Sequence, residues 1–360
     1  ELSTDSLKQL IITSPDGNHI HLLDRRAPSP EEMNILPAFD LLKIRDYSNR
    51  GSIGNFYYLK KDFLRAATAI SNRGCRGNCS FCSVRNFNGV GVRRRQTDIV
   101  IEELKILRYE HGIDHVMWLD DDFLYNHKAS IELFNEIVRQ QIGLTWDCSN
   151  GVLAASCTEE VLSAAVASGC IGLHIGVESG NKDILRQVRK PATVKIYHQA
   201  AEALRKFPEI YIRIFLMIGF QGETYSQIRD TIELCKKTNF DWHSINLLEP
   251  LPNTPMWVQM RKEDPTEVID FEKIQYITNP IQIKGSGGKA ESDLAKQTSA
   301  VNSNMAVDFG CIFEGKDLEV VPSRSDLVKL RSYMDYNLNF VPILTEKRME
   351  KLVLKERHLK

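Results

Sequence analysis

The sequence predicts an α/β fold: a partial, TIM-like (β/α)6 barrel with an α-rich C-terminal extension. Three observations predict it. Six apolar, strand-like runs lie at residues 65–70, 115–119, 144–148, 172–177, 211–220 and 243–248. Helix-like segments separate most of them, and strands alternating with helices give βα units on a parallel sheet. Successive strands start about 30–50 residues apart, the span of one such unit. Six units make an open barrel rather than a closed ring of eight.

The elements follow in order. Residues 65–70 run into a turn, Ser71-Asn72-Arg73-Gly74, and then into a cysteine loop inserted before the first helix. That helix, 98–109, reads DIVIEELKILRY; acidic residues open it and His111-Gly112 closes it, as the helix dipole and glycine's role as a stop favour. Residues 130–140, 158–167, 193–206 and 224–238 resemble it between the later strands. Beyond residue 260 the pattern fades. Residues 284–303 are rich in Gly, Ser, Lys and Ala, and the first half reads as a loop or linker. Residues 323–336 and 345–360 look helical, and the latter, TEKRMEKLVLKERHLK, is basic and amphipathic. The expected division is an N-terminal linker or extension at 1–60, a core barrel at 61–260 and a partly flexible helical extension at 261–360.

In parallel α/β folds chemistry collects beyond the C-terminal ends of the strands. Here the polar, Gly-rich and Cys-rich stretches fall there. Three cysteines follow the first strand and Asp120-Asp121-Asp122-Phe123 the second. Asn150-Gly151 follows the third, Glu178-Ser179-Gly180 the fourth, and Gly219-Phe220-Gln221-Gly222-Glu223-Thr224 ends the fifth. Glu249-Pro250-Leu251-Pro252-Asn253-Thr254-Pro255 follows the sixth.

Composition narrows the function classes. A chain of 360 residues with 42% apolar and 26% charged side chains has the make-up of an ordinary globular protein. A formal net charge of −1 gives no general pull toward nucleic acid or anionic lipid. No apolar run approaches the roughly 20 residues of a membrane span. The start, Glu-Leu-Ser-Thr-Asp, carries no signal-peptide pattern and no Met, so the chain reads as processed or as a piece of a longer protein. Eight cysteines are far too few for a disulfide scaffold, and the expected compartment is the reducing cytoplasm.

The stretch CRGNCSFC holds Cys75, Cys79 and Cys82, with the other five cysteines scattered singly. Thiolates bind zinc or iron–sulfur clusters, but structural zinc and ordinary ferredoxin clusters take four ligands. Three thiolates suffice for a four-iron cluster that keeps one iron open. Zinc, a plain electron-transfer cluster, an open cluster and simple unligated cysteines all remain readings of the residues alone.

This stretch resembles the CxxxCxΦC signature of the radical S-adenosylmethionine (SAM) superfamily, with Phe81 as the aromatic residue. The resemblance implies a radical SAM barrel, a [4Fe-4S] cluster and S-adenosyl-L-methionine. It implies that Cys75, Cys79 and Cys82 are the cluster (metal) ligands and that the backbone of Phe81 lies along the adenine. Asp120-Asp121-Asp122-Phe123 resembles a DDxF motif, which puts Asp120 and Asp121 where SAM's ammonium is bound. Gly176-Val-Glu178-Ser179-Gly180 resembles the fourth-strand GxESG motif, making Glu178 and Ser179 candidates for SAM's ribose or amino group. GFQGET resembles GFPGET and brings Gly219 toward the cofactor, with Gln221 where proline is usual. Arg213 is a further candidate for SAM, or a structural ion pair. PLPNTPMW resembles PxPGTPxW, with Asn253 in place of glycine. No catalytic side chain is identified. The implied reaction is reductive cleavage of SAM to methionine and a 5′-deoxyadenosyl radical.

Taken together, the motifs resemble the branch that carries a cobalamin-binding domain, which makes cobalamin a further candidate cofactor. Residues 16–26 and 36–42 resemble the linker of that branch, but no Asp-x-His-x-x-Gly motif occurs. Methyl transfer to, or rearrangement of, an unactivated carbon in a small molecule, lipid or peptide is the implied chemistry. Alternatives are a cobalamin-independent radical SAM enzyme and a tRNA-modifying one. A flavodoxin- or ferredoxin-type electron donor is the implied partner; nucleic acid is not expected. Arg93-Arg94-Arg95 reads as a solvated loop or a site for an anion. His174 reads as a core residue, and Cys148 and Cys170 read as small core residues.

Overall fold

The computed structural model of the protein describes residues 28–48, 65–263 and 312–340, and the backbone of two short strands, β1 (Ile11–Thr13) and β2 (Ile20–Leu22), paired antiparallel. The readings of 284–303 as linker and of 345–360 as a helix lie outside the described residues. Two short helices follow β2, α1 (Pro30–Met33) and α2 (Ile44–Ser48).

The core is an open, six-stranded, wholly parallel sheet. Its strands are β3 (Ala66–Ala69), β6 (His115–Trp118), β7 (Thr145–Val152), β8 (Cys170–Glu178), β9 (Tyr211–Ile218) and β10 (Trp242–Leu247). They lie in spatial order β10-β9-β8-β7-β6-β3. All six predicted strands are present, and none shifts by more than a few residues. The third is longer than its apolar run, because its polar end, Ser149-Asn150-Gly151, stays in the strand across a register irregularity beside β8.

Period-two alternation sorts the strand residues. Ile212, Ile214, Leu216 and Ile218 of β9 are buried on the outer face with the helix residues of the main core. Arg213, Phe215 and Met217 point the other way, into the barrel, as do their register partners His174, Gly176, Trp242, Ser244 and Asn246. The helices covering the outer face are α4 (Thr97–Lys105), α5 (His127–Arg139), α6 (Glu159–Ala167), α8 (Val194–Leu204) and α9 (Tyr225–Thr238). Side-chain caps start four of them: Asn126 accepts from the Ala129 N–H, Thr158 from Val161 and Thr193 from Ile196. Thr224 forms a capping box with Gln227. Under α5, Trp118 stacks on Phe123 and Phe134 on Trp146, at ring distances of 4.9 and 5.1 Å.

A two-stranded ribbon, β4 (Asn72–Arg73) with β5 (Arg93–Arg94), brackets the cysteine loop and the short helix α3 (Val84–Asn88). This corrects the reading of the arginine run as a solvated loop. Arg94 donates to the Ala129 carbonyl, and Arg95 is buried, donating to the Ile70 carbonyl at 2.8 Å and pairing with Glu103 at 2.6 Å. Two further helices frame the site, α7 (Lys182–Gln187) and α10 (Pro255–Glu263).

The last described helix, α11 (Arg324–Asp335), packs on β10. Fully buried Asn339, just beyond it, accepts from the His243 N–H and donates to the His243 carbonyl, both at 2.8 Å. A side-chain amide thus occupies the hydrogen-bonding positions that a seventh strand would fill along this sheet edge. Part of the predicted extension therefore forms a wall of the barrel. No described helix is long and apolar enough to cross a membrane.

Candidate functional site

The three clustered cysteines sit on the loop between β4 and α3, at the C-terminal end of β3. All are free and half-buried. Burial pushes the Cys75 and Cys79 thiols up to about 11 and raises Cys82 as well, and the charge of Cys82 adds to the rise at both Cys75 and Cys79. The loop is fastened on both sides: Ser80 N–H donates to the Val188 carbonyl, and the Met256 N–H donates to the Ser80 carbonyl, each at 2.9 Å. Gly77 lies between two of the sulfurs. A Cβ on it would stand 3.3 Å from Cys75 Sγ and 3.8 Å from Cys79 Sγ, so glycine keeps that space clear. Its N–H points at Cys75 Sγ, 3.3 Å away.

Among the described residues no three His, Cys, Asp or Glu side chains converge tightly enough for one metal ion. Three thiols held together on one loop suit a polynuclear cluster, in which each thiolate binds a different metal atom. Phe81 lies beside the loop in a small apolar patch with Ile184, Val188, Phe220 and Met256, its ring 6.2 Å from that of Phe220.

The three aspartates after β6 all turn toward this loop. Asp120 is wholly buried and accepts from Ser71 N–H (3.0 Å), Ser71 Oγ (2.5 Å) and Asn72 N–H (2.7 Å). Burial outweighs those bonds and pushes its carboxyl up to about 7. Asp121 accepts from Gly74 N–H (2.9 Å) and Asn88 Nδ2 (2.7 Å). Asp122 pairs with Arg76 at 2.9 Å and has no exposed surface, so it is not part of a solvated turn. Only Asp121 of the three retains partial exposure. The run thus anchors the cysteine loop from Ser71 to Arg76, and leaves one carboxylate facing the rim.

Glu178 ends β8 in a left-handed conformation, φ 65°, rare for a residue with a side chain. Its Oε1 meets Lys190 Nζ at 2.8 Å, and both side chains are almost buried. Burial pulls the lysine's pKa down, but Glu178 and the thiols of Cys79 and Cys75 outweigh it and hold the ammonium above its ordinary value. Gly176 makes room, since a Cβ there would lie 2.7 Å from Lys190 Nζ. Lys190 was not singled out from sequence, where nothing separates it from a surface lysine such as Lys182. The fold places its charge behind the cysteine loop, where it acts on all three thiols.

The other predicted residues lie elsewhere around the rim. Ser179 is wholly buried; its hydroxyl bonds Thr231 Oγ1 at 3.3 Å and accepts from the Asn181 N–H at 3.1 Å, tying the turn to α9. Gly219, φ 91°, donates to Glu223 Oε2 at 2.7 Å, and a Cβ on it would meet Leu327 of α11 at 2.9 Å. Arg213 is not beside the cysteines. It sits opposite His174 on the inner face, three residues before Leu216, which pairs with Glu178; that is about 10 Å below the rim. The inner face also holds a linked group: His115 Nε2 bonds Asp147 at 2.8 Å, Ser149 donates to Asp147, and His174 Nδ1 bonds the Ser149 carbonyl at 2.6 Å.

Comparison with known proteins agrees with this geometry. The sequence profile of the Radical SAM superfamily matches residues 70–235. An uncharacterized methyltransferase of Pyrococcus horikoshii is 31% identical over 234 residues, 64% of this chain and 48% of its own. Bacteriochlorophyllide d C-12(1)-methyltransferase of Chlorobaculum tepidum is 25% identical over 232 residues, 64% of this chain and 50% of its own. The solved structure of the cobalamin-dependent SAM radical enzyme OxsB with aqua-cobalamin and SAM shares the fold at a TM-score of 0.59 and 18% identity, over 94% of this chain and 52% of that one. This chain spans about half the length of these curated relatives. Three cysteines thus stand at the strand-end rim of an open parallel barrel, and residues 70–235 around them match the Radical SAM superfamily.

Proposed function

We propose that residues 61–260 are the catalytic core of a radical SAM enzyme of the cobalamin-associated type. The reaction is methyl transfer to, or rearrangement of, an unactivated carbon. The observation that carries the reading is the cradle around Gly77, with the buried Lys190–Glu178 pair behind it. The family's [4Fe-4S] cluster and SAM fit these residues, and when bound they supply reductive cleavage of the sulfonium and a carbon radical that abstracts hydrogen.

The chain's own residues hold, balance and shield. Cys75, Cys79 and Cys82 bind as thiolates, releasing their protons on loading. The Lys190 ammonium offsets thiolate charge, a strong effect at a site shielded from water. In this reading Asp121 and Glu178 accept from SAM's ammonium or ribose, and Lys190 is the positive partner of its carboxylate. Phe81 and the apolar patch beneath it keep water from the adenine side. Asp120, Asp122 and Ser179 act one step back, holding the loop and the β8 turn in place. The substrate enters the open barrel, whose inner face is polar. An electron donor of flavodoxin or ferredoxin type serves the cluster. The two methyltransferase relatives support methyl transfer as the reaction.

The test is anaerobic. Chain with rebuilt cluster is mixed with SAM and a strong reductant, and 5′-deoxyadenosine and S-adenosylhomocysteine are quantified. The expected result is 5′-deoxyadenosine from wild type and none from Cys79→Ala. Undiminished product from Cys79→Ala would sink the cluster assignment.

A further inference from the structure

The inner face of the sheet carries polar side chains that the rim chemistry does not use. Most are matched within the protein: Asp147 takes both His115 and the Ser149 hydroxyl. Arg213 is different. It is 6% exposed on the inner face of β9. Its Nε donates to Ser244 Oγ, and its guanidinium stands 6.0 Å from the centre of the Phe215 ring. Among the described residues no carboxylate pairs with it. Burial pulls its pKa down to about 10, outweighing Tyr211, which acts the other way. Opposite it, His174 is pushed down to about 3 by burial and by Arg213's own charge. That imidazole is neutral and supplies no counter-charge.

A buried cation without a counter-charge destabilises a fold. A methionine fills similar space and already stands at position 217 on the same face. We propose that Arg213 anchors an anionic group of the substrate, a carboxylate or phosphoryl group, inside the barrel. The planar guanidinium fork matches either group. Nε is committed to Ser244, and the terminal nitrogens remain for a ligand. Phe215, Met217, Ser149 and Asn246 on this face are only half-buried, so the interior is not packed shut. Depth separates this site from that of SAM. Arg213 lies about 10 Å below the Glu178 level, and the rim has its own charged pair, Glu178 and Lys190, for SAM's methionine end. The inference rests on the reading of the barrel as a radical SAM core, and places the substrate's anionic end deep with its reacting carbon toward the rim.

Arg213→Met removes the charge and keeps most of the volume. In chloride buffer without phosphate, Arg213→Met is expected to unfold about 2–4 °C above wild type. Inorganic phosphate or acetate, at constant ionic strength, should raise the wild-type midpoint and leave the variant's unchanged. Affinity for SAM should agree between the two within about threefold. A variant that unfolds below wild type would overturn the proposal in favour of a structural role. So would wild type that ignores both anions. A tenfold loss of SAM affinity, with 5′-methylthioadenosine (which lacks the carboxylate) bound equally by both, would assign the guanidinium to SAM instead. No readout here requires SAM cleavage, so a failed cleavage assay and a failed anion site are told apart.

Discussion

Gly77 shows how one missing atom shapes the cysteine site. Its backbone is not in the left-handed region, so alanine fits the conformation, but the new methyl would press between the Cys75 and Cys79 sulfurs. Gly77→Ala should fold with an unchanged thermal midpoint and hold about tenfold less iron after reconstitution, a loss typical of disturbing a metal's surroundings. Iron assay beside calorimetry checks this; full iron content would show that the cradle is not where the cluster sits. Legibility at this scale was uneven. CRGNCSFC put the three cysteines together, because a single loop carries all of them. Lys190 was invisible, because its partners Glu178 and Cys79 are joined to it only by the fold. The aspartate run was visible, yet its division of labour was not: Asp120 and Asp122 are spent on loop backbone and Arg76, and only burial and bond partners reveal it.

At the scale of elements, the GFQGET loop joins β9 to α9 through Glu223. That carboxyl is buried and accepts from Gly219 N–H at 2.7 Å and Phe220 N–H at 3.1 Å. Burial pushes it up to about 7 despite those bonds. The group is therefore protonated more readily in the folded than in the unfolded chain. Its contribution to stability is fully present below its unfolded pKa, near 4.5, and is lost as pH rises through about 7. Urea unfolding followed from pH 5 to 8 should show wild type losing stability with a steeper slope than Glu223→Gln. Equal slopes would place the titration elsewhere. Helix starts were legible, since Thr158, Thr193 and Thr224 cap where the pattern put them. The β4–β5 ribbon was not, because two-residue strands have no periodicity to read.

For the whole molecule, six apolar runs and their spacing sufficed for an open parallel barrel, since a strand covered on the outside by helices needs a dense apolar face. The wall over β10 was not legible, because its helix comes long after the strand and carries no motif. Asn339→Ala tests that wall. It leaves both backbone groups of His243 without their side-chain partner at a buried edge, and should cost about 2–4 kcal/mol in urea unfolding. A cost under about 0.5 kcal/mol, the range of an ordinary surface substitution, would mean the edge is held by something other than Asn339.

That wall also has a consequence in time. A ribosome adds about 5–20 residues per second. The roughly 75 residues between Leu247 and Arg324 therefore take several seconds to make at that rate. Through that interval the outer edge of the last described strand waits for its Asn339 contact. The newborn barrel is most vulnerable to clumping after its active-site loops are complete and before α11 arrives, and slower elongation past residue 250 would widen the gap.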